Sequence, residues 1–254
     1  MASSVDLNAD LGEAFGVWQL GQDEALMPQL TSANLACGFH AGDPLTIRRS
    51  VALAREHGVQ IGAHPGFPDR VGFGRRDLAA TPEEVYADVL YQLGALEAFL
   101  RPHGAKLHHV KAHGALYLKL HADPAIAEAV AAAVGDFDAS LPLVLLAGAG
   151  GAEAARVARG RGLRVVFEAF PDRAYVAGGR LAPRALAGAV LHDPERVAER
   201  AVQMAAGSVT TLEGDTVALE AGTLCLHGDH PRAVENARAV RRALAAAGVQ
   251  VAAF

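Results

Sequence analysis

Short apolar runs alternate with longer amphipathic stretches along this chain of 254 residues. The runs at 4–9, 31–37, 58–63, 106–112, 142–147, 163–169 and 222–227 have strand length. Several also have strand parity. Val5, Leu7 and Ala9 alternate with Asp6, Asn8 and Asp10; Val59, Ile61 and Ala63 alternate with Gln60, Gly62 and His64; Leu224 and Leu226 alternate with Cys225, His227 and Asp229. One face of such a strand suits contact with helices, and the other carries polar groups. The clearest helix is predicted over 82–100, with Val85, Val89, Leu93, Leu96 and Leu100 on one stripe. Thr81-Pro82-Glu83-Glu84 reads as a capping box with proline in the first turn. Asp43-Pro44, Asp123-Pro124 and Asp193-Pro194 repeat an Asp-cap, Pro-first signature before further helical runs.

Repeated strand-then-helix order predicts a parallel sheet. Seven such units in this length predict an α/β fold, a seven-stranded parallel (β/α) barrel, with an open doubly wound sheet as the competitor. Residues 207–221 break the rhythm and read as a small β excursion. No Ser/Pro-rich linker divides the chain, so 1–254 reads as one barrel domain.

Composition narrows the function classes. Hydrophobic residues make up 51% and charged residues 20%, enough to bury a sizeable core. The net charge is −5 and no basic stripe appears, which argues against nucleic acid as a partner. No uncharged apolar run has membrane length, and no secretory signal is visible, so a cytoplasmic protein is expected. Two cysteines do not make a disulfide framework. Cys37 and Cys225 both read as buried small hydrophobes.

Candidate chemistry gathers at strand ends, where parallel α/β folds place their sites. Strand one ends in Asn8 and Asp10, with Glu13 just beyond. Strand two ends in Asn34, His40 and Asp43, and strand three in His64. Strand four ends in Lys111 and His113, strand six in Glu168, Asp172 and Arg173, and strand seven in His227, Asp229 and His230. Any one of these can simply satisfy loop backbone groups. Convergence from six strands is what a site requires. Asp6, Asn8 and Asp10 are accordingly expected to face the barrel interior. Asp10, His40 and His64 suit a divalent metal, although no short ligand spacing marks them. His109 and His113 on one strand would stand about 13 Å apart, too far to share an ion. Only His113 is then expected in the site. "LLAGAGGAEAAR" reads as a tight turn before a helix, and no Walker A motif exists to hold a nucleotide. "VAGGRLAPR" offers Arg180 and Arg184 on a mobile loop able to close over a carboxylate or phosphate.

Six ordered segments carry a resemblance: "DLNADLGE", "ANLACGFHAGD", "GAHPGFPDRVGFGRR", "VKAHGALY", "EAFPDRAY" and "LCLHGDHP". Together they resemble the LamB/YcsF family over about residues 5 to 251. The resemblance implies a barrel similar to those of glycoside hydrolases and polysaccharide deacetylases. It implies ATP-dependent opening of 5-oxo-L-proline to L-glutamate, with 5-oxoprolinase subunits B and C as partners. That chemistry needs a base, donors for a developing oxyanion and an anchor for a carboxylate. Asp10 or Glu13 is the expected base, with Asp229 a further catalytic candidate. His64, Lys111 and His113 are expected to stabilise an oxyanion or phosphate. Arg75, Arg76 or Arg173 would hold the carboxylate. Asn8, Asn34, Glu168, Asp172 and His227 would line the substrate. ATP would act through the complex, with phosphorylation carried out by a partner. The alternatives are a metal-dependent deacetylase of N-acetylated sugars and a non-catalytic accessory subunit.

Overall fold

The computed structural model describes residues 4–228 and 232–254. Strands β1 (Ser4–Leu11), β2 (Ser32–Ala36), β3 (Gln60–His64), β4 (His109–Val110), β5 (Leu143–Leu146) and β6 (Val165–Ala169) pair in parallel in chain order. Two small antiparallel ribbons follow: β7 (Tyr175–Val176) with β8 (Arg180–Leu181), then β9 (Ser208–Thr210) with β10 (Thr216–Ala218). β11 (Thr223–Leu226) pairs with β6 on one side and with β1 on the other, which closes a seven-stranded parallel barrel. β12 (Gln250–Val251) pairs in parallel with the start of β1.

The helices are α1 (Asp23–Leu26), α2 (Pro44–Glu56), α3 (Pro82–Leu100), α4 (Gly114–Ala122), α5 (Pro124–Asp138), α6 (Ala152–Gly160), α7 (Pro194–Ala205) and α8 (Ala233–Ala246). Where a cap was predicted, the helix starts there. Thr81 and Glu84 form the capping box of α3, and the side chains of Asp43, Asp123 and Asp193 accept backbone N–H groups of α2, α5 and α7. Val5, Leu7, Ala9 and Leu11 on β1 are buried in the core beneath this helical layer, alongside Leu35, Ile61 and Leu224.

Two local expectations change. The fourth strand shrinks from seven residues to a two-residue ladder, because the chain turns into α4 at Gly114, where φ is 51°. Even so, Lys111 N and His113 N still bond the carbonyls of Ala63 and Pro65, so the segment keeps running beside β3. The loop "VAGGRLAPR" is partly ordered as the β7–β8 ribbon. In the glycine-rich turn before α6, a Cβ on Gly151 would collide with the Leu146 carbonyl; glycine there is a packing requirement. The excursion at 207–221 is the β9–β10 ribbon.

The barrel interior is unusual. Branched aliphatics fill most (β/α) barrels. Here Asp6, Asn8, Ser32, Asn34, His109, Glu168 and Thr223 fill it, all 2% exposed or less.

Candidate functional site

Register sets the interior in layers. Asp6 and Asn8 of β1 lie beside Thr223 and Cys225 of β11, and Asn34 of β2 lies beside Asp10. In the lower layer Asp6 accepts hydrogen bonds from the hydroxyls of Thr31, Ser32 and Thr223. Burial pushes its pKa up, against the pull of those three hydroxyls. Asn8 Nδ2 donates to Thr223 Oγ1 at 2.6 Å and to Glu168 Oε1 at 3.2 Å, and its Oδ1 accepts from Asn34 Nδ2 at 2.8 Å. His109 Nε2 lies 2.6 Å from Asn34 Oδ1. The imidazole of His109 fills the space where a Cβ on Gly62 would stand, which explains a glycine inside β3.

Lys111 joins this layer to the one above. Its ammonium donates to Asp10 Oδ1 at 2.8 Å, Glu168 Oε1 at 2.9 Å and Cys225 Sγ at 3.1 Å. Burial works against its charge, but Asp10, Cys225 and Glu168 overcome it and raise its pKa well above the usual lysine value. Burial likewise opposes ionisation of Asp10, and His64 and Lys111 reverse the effect, holding the carboxyl well below the usual range. Asp10 and Lys111 are thus an ion pair. Glu168 is fully buried; desolvation raises its pKa, with Lys111 opposing. Cys225 is buried as expected, yet its sulfur faces this charged interior rather than an aliphatic core.

The upper layer is a cluster of Glu13, His40, His64 and His113, whose ligand atoms all lie within 4.8 Å of one another. His40 and His113 stack with ring centroids 3.8 Å apart and planes 1° from parallel. Gly66 and Gly74 clasp this stack: a Cβ at Gly66 would lie 2.7 Å from His40 Nδ1, and one at Gly74 would lie 2.8 Å from His113 Cδ2. These glycines of "GAHPGFPDRVGFGRR" therefore make room for histidines. Burial lowers the pKa of His40 well below the usual value and that of His113 to about 3, so both rings are neutral. The cluster overlaps the expected metal set. His40 and His64 belong to it and Glu13 supplies its carboxylate, while Asp10 is held through Oδ1 by Lys111 and Asn34 and reaches His64 Nε2 with Oδ2 at 3.3 Å. His113 joins it from the N-terminus of α4, while His109 turns down into the lower layer.

A cavity of about 270 Å³ opens above these layers, lined by Asp10, His64, Lys111, His113, Tyr117 and Phe170, with Arg75, Arg173, Arg184 and His227 around them. That is close to the lower limit for small-molecule sites, about 300 Å³. A larger cleft of about 550 Å³ beside α7 contains none of the predicted site residues. Its Arg200 is engaged by the carbonyls of Pro171, Arg173 and Thr210.

The remaining candidates separate. Asp172 accepts from His227 Nδ1 at 2.7 Å, and His227 Nε2 lies 2.8 Å from Arg184 Nη2, so a chain of polar contacts leads to the rim. Arg173 is largely buried, with its guanidinium on the carbonyls of Ala182 and Ala189. Arg76, an expected anchor, pairs with Asp69 and does not line the cavity. Asp229 and His230 lie outside the described residues. Cys37 is buried, with its thiol pushed up to about 12, and has no nucleophilic character. Tyr117 and Phe170 were not singled out from sequence; both sit inside the quoted segments, but aromatic residues there carry no spacing signal.

A family model described as LamB/YcsF family matches residues 5–254. A Thermus thermophilus protein, named as the A subunit of 5-oxoprolinase, is 59% identical over 251 residues, 98% of this chain and 99% of that protein. A crystal structure of a lactam utilization protein, also from Thermus thermophilus, superposes with TM-score 0.94 at 57% identity, covering 99% of this chain and 100% of that one. A structure described as T48 deacetylase with substrate shares the fold at TM-score 0.50 and 16% identity, over 99% of this chain and 88% of that one. No described helix is long and apolar enough to cross a membrane.

Proposed function

The chain belongs to the LamB/YcsF family, and on that premise we propose that it is the hydrolytic component of a cytoplasmic, ATP-dependent 5-oxoprolinase. Partner subunits B and C transfer the γ-phosphoryl group of ATP to the lactam oxygen of 5-oxo-L-proline, releasing ADP; this chain admits water to the activated ring carbon, the ring C–N bond breaks to leave the free amine of glutamyl phosphate, and a second water releases phosphate and L-glutamate. The subunit name carried by the 59% identical relative supports partners. The lack of a Walker A segment supports giving the nucleotide step to them.

The observation that carries the reading is the Asp10–Lys111 ion pair at the floor of a small cavity rimmed by arginines. Asp10 is the base for the attacking water. Its Oδ1 is fixed by Lys111 and Asn34, and the side chain keeps 23% exposure toward the cavity. Glu13 is buried in the histidine cluster, so it is the weaker candidate. Anion contacts fall to Arg75 and Arg184. They do not fall to His64 Nδ1 or His113 Nε2, because each of these nitrogens is engaged by a carbonyl, Lys111 O for His64 and Phe73 O for His113. Lys111 positions Asp10 and keeps it ionised. Phe170 offers a flat apolar wall to the ring.

The test is reconstitution with subunits B and C, 5-oxoproline and ATP, with glutamate measured. The chain alone should show no 5-oxoproline-dependent ATPase activity. Asp10→Asn should keep the fold and lower glutamate production about 10²–10⁴-fold, the contribution of a general base. Near wild-type production by that variant would remove Asp10 from the mechanism. The histidine cluster supports a second reading, metal-dependent deacetylation of an N-acetylated sugar. Acetate release from an N-acetyl substrate panel, without partners or ATP, would establish that reading over the first.

A further inference from the structure

We propose that Glu13, His40, His64 and His113 form a binding site for a divalent first-row transition metal, with zinc the best match to four N and O ligands. The inference does not depend on the lactam reading.

The first argument is shape. Glu13 Oε1 lies 3.3 Å from His113 Nδ1 and 3.4 Å from His40 Nε2, and His113 Nδ1 lies 3.0 Å from His64 Nε2. Ligands placed about 2.0–2.1 Å from a tetrahedral zinc stand about 3.3–3.4 Å from one another. The side chains come from four successive strand ends and arrive at nearly that spacing, although none is near another in sequence.

The second argument is the placement of protons. His64 Nδ1 is 2.8 Å from the Lys111 carbonyl, and His113 Nε2 is 2.8 Å from the Phe73 carbonyl. A carbonyl only accepts, so these nitrogens carry the ring protons. The ring nitrogens left over, His64 Nε2 and His113 Nδ1, are turned into the cluster. They face each other at 3.0 Å, where a proton or a cation must lie between them. A metal satisfies both at once. The two carbonyl contacts are also the usual outer support of metal-binding imidazoles, which donate their other N–H to a carbonyl or carboxylate.

The third argument is His40. It is 1% exposed, and neither ring nitrogen has a hydrogen-bond partner among the described residues. Its Nε2 points at Glu13 Oε1, inside the polyhedron. An imidazole buried and aimed this way destabilises the protein unless it has a ligand.

The experiment uses the full chain without partners or substrate. Metal is stripped with chelator, Zn²⁺ or Co²⁺ is added back, and content is read by elemental analysis after desalting. Co²⁺ absorption reports tetrahedral coordination. Wild type should take up about one ion per chain and show the intense visible bands of a four-coordinate cobalt site. His40→Leu and Glu13→Gln should each lower affinity at least about tenfold. Asp10→Asn should bind as wild type does. Circular dichroism checks folding, and the near-isosteric Glu13→Gln carries the test if His40→Leu does not fold. Folded wild type that stays well below one ion per chain would overturn the site, leaving a proton shared by His64 and His113. Undiminished uptake by Glu13→Gln would also overturn it, and loss by Asp10→Asn instead would point to the Asp10–His40–His64 set.

Discussion

Two polar clusters share the inside of this barrel, and they are built on opposite terms. The lower one is closed. Asp6, Asn8, Asn34, His109, Glu168 and Thr223 each have a partner of the right kind, and Lys111 supplies the charge that two buried carboxylates need. The upper one holds four potential ligands at similar depth, yet His64 Nε2 and His113 Nδ1 face each other at 3.0 Å and His40 is unsatisfied. A buried polar network that satisfies itself fixes a structure. One that does not is held in place by its surroundings, here Gly66, Gly74 and two carbonyls, and it marks where a ligand contributes.

The contrast breaks first at Lys111. Lys111→Met keeps much of the side chain's length and leaves Asp10 and Glu168 buried without a cation. Removing one partner of a buried pair costs about 3–5 kcal/mol. Denaturant unfolding should show a loss of that size. A loss below about 1 kcal/mol would mean the lower layer is not the closed ionic network described here.

The next effect is smaller and lies at the support of the upper cluster. Asp43 caps α2 and accepts the Gly16 amide at 3.0 Å, tying the segment after Glu13 to the one after His40. The Thr46 hydroxyl, with the amides of Gly16, Thr46 and Leu45, outweighs desolvation and holds its pKa at about 2. A folded-state pKa below the unfolded value stabilises above the unfolded pKa, near 4, and that contribution is lost as pH falls toward 2. Asp43→Ala should cost about 0.5–2 kcal/mol at neutral pH and should flatten the stability–pH curve between about pH 4 and 2. An unchanged acid limb would show that Asp43 does not contribute through its charge.

The smallest effect separates the layers most sharply. In metal-free protein, His40→Leu removes two unsatisfied nitrogens and a ring stack of comparable worth, so stability should move by no more than about 1 kcal/mol. A loss of 3 kcal/mol or more, on the order of that expected at Lys111, would make His40 a structural residue and erase the distinction.

Much of this molecule follows from local rules. Alternation in "VDLNADL" already says that Asp6, Asn8 and Asp10 share a face, and they do, because a strand's side-chain period is two whatever the strand pairs with. Caps at Asp43, Thr81, Asp123 and Asp193 are likewise local, since each bond spans two or three residues. The order of strands and helices predicted a seven-stranded parallel α/β fold, and the pairing of β11 with β1 decided for a closed barrel over an open sheet. The partition of polar residues between the two layers was not. Asp10 and Glu13 are three residues apart, yet one pairs with Lys111 and the other with His40 and His113, because the turn after β1 sends them to different neighbours. His109 and His113 part in the same way, since β4 ends at Val110 and the chain turns into α4. Arg76, chemically equal to Arg75, is captured by Asp69. Sequence determined which residues would point inward. Register between strands, and the loops at their ends, decided which of them meet, because contacts across tens to hundreds of residues depend on how the sheet closes and leave no periodicity in the chain.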